Sequence, residues 1–158
     1  MTMKISLSFV GLSVAAIVGL TQQAWGQGAN SIQKLFFEGD MVRGAGAEAP
    51  GCVLTSQFKR KEAVVWRVRV LDQTGRALDE KGLKGLIVEV SDGQKLPLHF
   101  GPHPRGKTDD YFWTTSWLIP ESYPTGSFSY KVVAIDLGDK SHSWEPFKVD
   151  LSQLTVVP

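Results

Sequence analysis

A chain of 158 residues, 42% apolar and 21% charged, has the make-up of one globular domain. Its 17 Lys and Arg against 16 Asp and Glu exclude nucleic-acid binding by bulk charge, which needs a strong cationic excess. Nothing in the composition names a reaction or a ligand.

Lys4 gives a short positive start, Ile5 to Leu20 is uncharged and apolar, and Ala24-Trp25-Gly26 offers small residues where signal peptidase reads. This predicts a secretory signal over 1–26, cut before Gln27. The alternative is an uncleaved anchor, but Ile5 to Leu20 falls short of the ~20 apolar residues of a spanning helix, and polar Thr21, Gln22 and Gln23 follow. No Cys lies near the cut to carry a lipid. Loss of Lys4 leaves acids and bases in balance, and Cys52 is the single cysteine, so no internal disulfide can form and the hydrophobic core must hold the fold. About 130 residues suffice, since chains of this size bury roughly two-thirds of their unfolded surface.

The expected division is a signal over 1–26, an N-terminal arm with a possible edge strand over 27–51, and a β-sandwich over 52–158. Leu35 to Val42 is the possible edge strand, interrupted by Gly39, and Arg43 to Gly51 reads as a loop. In Val64 to Val70 the period is two: Val64, Trp66, Val68 and Val70 share one face, and Val65, Arg67 and Arg69 the other. Asp72-Gln73-Thr74-Gly75 ends that strand. Leu86 to Val90 and Leu96 to Phe100 flank Asp92-Gly93, a hairpin signal, and Pro97 predicts that the second arm is an edge strand. Gly101 to Asp110 reads as a long loop and Tyr111 to Ile119 as an aromatic strand. Ser127 to Asp136, Trp144 to Val149 and Leu154 to Val157 complete the set. Seven to nine short strands with no helical period predict an all-β, antiparallel sandwich.

The run Pro124-Thr125-Gly126-x-Phe128-x-Tyr130-x-Val132-x-Ala134-x-Asp136-x-Gly138, with Trp66 in an early inner strand, resembles bacterial immunoglobulin-like and fibronectin-type-III-like sandwich modules of exported proteins. The resemblance covers roughly Cys52 to Val157 and implies the fold without settling a function. The chain departs from antibody-type domains in having no cysteine near Tyr130 to pair with another.

Long loops without their own structure are often functional, which singles out Gly101 to Asp110. His103, Arg105, Asp109, Asp110, Tyr111, Trp113 and Trp117 form the expected contact set for a partner, another exported protein such as a larger enzyme or surface subunit. This accessory-subunit reading places the protein in the periplasm or outside the cell. A second reading is a copper or other metal site using His99 and His103, with Cys52, Met41 and His142 completing the donor inventory. Those donors do not cluster near the last strands as blue-copper ligands do, and the bland reading makes His99 a surface residue and His103 a turn residue. A third reading is a carbohydrate-binding module on Trp113 and Trp117, which share a strand face with Tyr111; buried, the same face is core. Cys52 is either a small buried residue or the site of an intermolecular disulfide. Asp72, Asp79 and Glu80 lack the alternation of a Ca²⁺ loop and read as turn charges. No nucleophile elbow, zincin helix, phosphate loop or dinucleotide fingerprint is present, so no catalytic residue is predicted.

Overall fold

The computed structural model describes residues 34–44, 53–103 and 110–158. The predicted signal, Cys52, Arg105 and Asp109 lie outside them. The chain is all-β, with strands β1 (Phe36–Arg43), β2 (Val53–Leu54), β3 (Gln57–Lys59), β4 (Ala63–Leu71), β5 (Leu83–Val90), β6 (Lys95–Pro102), β7 (Tyr111–Leu118), β8 (Gly126–Phe128), β9 (Tyr130–Asp136), β10 (Ser141–Trp144) and β11 (Leu154–Val157). One 3-10 turn, Asp150–Ser152, precedes β11. No helix among the described residues is long and apolar enough to cross a membrane.

Eight strands form one antiparallel sheet in the order β10-β9-β5-β6-β7-β4-β1-β2, and β3, β11 and β8 form a second. The antiparallel expectation has one exception, the parallel pairing of β3 with β11. The large sheet curls on itself to make a sandwich. Val64, Trp66, Val68 and Val70 of β4 face inward against Leu86 and Val88 of β5 and Val132 and Ala134 of β9. The indole of Trp66 meets the ring of Tyr130 edge to face, 5.9 Å between centroids, and so joins the two halves across the core. Truncating a buried aromatic of this kind costs about 3–5 kcal/mol. The small sheet adds Phe58, Leu154 and Val156 to the same core.

Several expected boundaries move. Strand β6 is interior rather than an edge: Lys95 to Leu98 pair with β5, and His99 to Pro102 pair with β7. The partner changes between Leu98 and His99, so Pro97 is paired on one side only, and its missing N–H breaks no ladder. The expected strand Ser127 to Asp136 is two strands, with β8 pairing β11 and β9 pairing β5. The expected strand Trp144 to Val149 ends at Trp144, because Pro146 cannot continue a ladder. With β2 and β3 also separate, the described residues hold eleven strands instead of seven to nine. The loop expected over Gly101 to Asp110 is shortened by pairing of Gly101 with Phe112 and Pro102 with Tyr111, and the His103 N–H donates to the Asp110 carbonyl at 3.0 Å.

Candidate functional site

Strand β1 pairs with β4 along its whole length, but β2 covers its other edge only at Val42 and Arg43. The opposite end of the sheet is β10, paired with β9. The curl brings these two edges face to face without a hydrogen-bonded ladder between them. Phe37 of β1 and Trp144 of β10 stack across the gap, centroids 6.4 Å apart and planes 6° from parallel. Gly39 lies beside that contact: a Cβ there would sit 3.4 Å from the Trp144 ring, at the tight end of van der Waals contact.

Beside the stacked rings the seam opens into a cleft of about 690 Å³. Met41, Ser56 and Tyr130 are its buried members, Gly39 and Asp40 lie on one side, and Trp144, Glu145 and Pro146 on the other. Leu54, Phe147 and Leu151 line it while remaining exposed, the last two at 84% each. Local chemistry explains that rim. Pro146 takes the chain off the sheet, the Ser152 N–H donates to the Val149 carbonyl at 2.8 Å, and the Gln153 side-chain amide donates to the Phe147 carbonyl at 3.0 Å. The segment is held by main-chain contacts while Phe147 and Leu151 stand in solvent.

The polar groups of the cleft are few. Arg67 grips the Asp40 carboxylate through Nε at 2.8 Å and Nη2 at 2.5 Å. Glu145 faces Lys148 at 4.0 Å. The hydroxyls of Tyr130 and Ser56, residues 6% and 8% exposed, have no hydrogen-bond partner among the described residues. Burial, and then the negative charge of Asp40, push the Tyr130 hydroxyl up to about 12, so it stays a neutral donor.

The described residues of the expected site lie elsewhere, with His103, Asp110 and Tyr111 adjacent at the β6–β7 end and Trp113 and Trp117 further along β7. Trp113 is core, 3% exposed, and its indole N–H donates to the Leu78 carbonyl at 2.8 Å. Trp117 is half-buried and packs on Tyr123, 4.8 Å between centroids. Trp113 is therefore turned into the core and is not available as a platform, whereas Trp117 keeps part of its surface exposed. Tyr111 is exposed and stacks on Phe100 at 5.7 Å. Asp110 lies 3.8 Å from Arg69, which also reaches Glu38 at 3.5 Å.

His99 is exposed opposite Thr114, and His103 packs edge to face on Phe112, whose ring also carries the guanidinium groups of Arg67 and Arg69 at 5.7 and 4.9 Å. Burial, followed by the Arg67 charge, lowers the His103 pKa. His142 contacts the buried Asp136 carboxylate at 3.0 Å, and Met41 is core. No group of three or more His, Cys, Asp or Glu among the described residues is placed to hold a metal ion. Asp72 and Asp79 accept main-chain N–H groups of their own turns.

The cleft was missed in the sequence because Phe147 and Val149 alternate like strand residues. The one available signal was Pro146 within that stretch. Compared with family models, curated proteins and solved structures, the chain gives no significant match.

Proposed function

We propose that this chain is an exported, immunoglobulin-like, non-catalytic binding protein, an accessory subunit that seats an apolar element of a partner protein on the mouth of the seam cleft. The observation that carries this reading is the exposure of Phe147 and Leu151, 84% each, beside exposed Leu54 on one concavity. Large apolar side chains grouped on a surface mark contact sites, whereas scattered ones need no explanation. Each is worth about 1.5–3 kcal/mol when fully buried, so covering these three supplies a useful part of a binding free energy. In this reading the contact surface is the region around 54 and 147–151.

The test is site-specific photo-crosslinking in the native host, with a benzophenone side chain at position 147 and, as control, at exposed Gln73. The reading expects a discrete protein adduct from position 147 alone. No adduct there, or the same adduct from both positions, sinks it.

A further inference from the structure

We infer that the interior of the seam cleft is a binding site for an uncharged, largely apolar small molecule that carries a carbonyl oxygen. This goes beyond the partner-binding reading and does not depend on it. The volume of about 690 Å³ falls within the roughly 300–1,000 Å³ of small-molecule sites. Trp144 and Pro146 supply an aromatic and an aliphatic surface, with Met41 and Tyr130 beneath.

Two observations define the polar part of the ligand. Tyr130 and Ser56 line the cleft and are each more than nine-tenths buried, and their hydroxyls have no partner among the described residues. A wholly apolar occupant would strip both of water and leave both unsatisfied, which outweighs much of the gain from its own burial. A carbonyl oxygen is a neutral group with two lone pairs that can accept from such O–H donors.

Charge decides the rest. The two carboxylates of the lining already face cations, Asp40 on Arg67 and Glu145 on Lys148. An anionic ligand would meet these carboxylates, and a cationic one would have to compete with their present partners. A neutral molecule meets neither cost. The raised pKa of Tyr130 fits this, since it keeps the phenol protonated as a donor throughout the ordinary pH range.

The probe is prodan, an uncharged naphthyl ketone whose emission shifts to the blue out of water, titrated into the purified mature chain. The expected result is saturable one-to-one binding, with the anionic naphthalene sulfonate ANS bound at least tenfold more weakly. Tyr130→Phe keeps the ring against Trp66 and removes the donor; it should weaken prodan about fivefold. Ser152→Trp, at a half-exposed position of the lining, should fill the cleft and abolish binding. Absence of saturable prodan binding, ANS binding as tight as prodan, or prodan binding unchanged in Ser152→Trp overturns the inference. If Tyr130→Phe does not fold, the prodan and ANS titrations of the unsubstituted chain decide. Loss of the position-147 adduct with prodan binding intact sinks the partner reading alone, and the reverse pattern sinks this one alone.

Discussion

The imidazole of His142 and the carboxylate of Asp136 meet at 3.0 Å across the β9–β10 hairpin. The same carboxylate accepts the main-chain N–H groups of Gly138 at 2.8 Å and Lys140 at 2.9 Å, so one buried side chain organises the whole turn. The contact with His142, then these main-chain donors, hold the Asp136 carboxyl below its ordinary value of 3.8. A carboxylate whose pKa is depressed by folding contributes stability that is complete above the unfolded value and is lost as pH falls through the folded one. Urea midpoints should therefore drop as pH is lowered below about 4. In Asp136→Asn that part of the acid limb should flatten, at the cost of a lower midpoint at neutral pH. An acid limb identical in the two proteins would remove Asp136 as its cause.

The indole of Trp113 lies in the core and is anchored on the Leu78 carbonyl. Trp113→Phe keeps an aromatic ring but leaves the buried Leu78 carbonyl without its 2.8 Å donor. The expected loss is about 1–3 kcal/mol, seen as a lower urea midpoint at unchanged slope. Titration with polysaccharides should leave the tryptophan emission of the wild-type chain unmoved.

Phe147 and Leu151 give the opposite expectation. Being largely exposed, they contribute little to the core, and Phe147→Ser with Leu151→Ser should change stability by no more than about 0.5 kcal/mol each. The partner adduct formed from a benzophenone at position 54 should nevertheless disappear. A large drop in melting temperature would show that these side chains are packing residues.

Gly93, in the turn between β5 and β6, has φ +97, and a Cβ there would meet nothing within 4 Å. Backbone strain is thus the sole penalty for Gly93→Ala, about 1–2 kcal/mol by the cost of left-handed conformations to L residues. Thermal denaturation checks it, with Gly85→Ala, open in space and without positive φ, as the comparison.

The parts of the fold legible in the sequence were those where one face is buried and the turn chemistry is strong. Val64 to Val70 alternates because β4 has the core on one side, and Asp92-Gly93 announces the β5–β6 turn. Changes of partner left no such mark. Between Phe128 and Tyr130 the chain leaves one sheet for the other while both rings stay on the inward phase, so the alternation runs through the break unaltered. The switch from β5 to β7 between Leu98 and His99 is equally silent, because pairing is a property of the neighbours. The cleft draws on residues 39–41, 54–56, 130, 144–147 and 151–152, and no local pattern links such distant stretches. The sequence did point to the aromatic richness of Tyr111 to Trp117, but could not tell an inward face from an outward one.

The stacked rings of Phe37 and Trp144 stand where every other border of the large sheet has a ladder of main-chain hydrogen bonds. Parting β1 from β10 therefore costs a ring contact and no ladder bond. Native-state hydrogen exchange should therefore find the amides of β4, β5 and β9, each paired on both sides, slower than the unpaired edge amides of β1. The closure of the large sheet thus rests on side-chain packing at this seam and on main-chain ladders elsewhere.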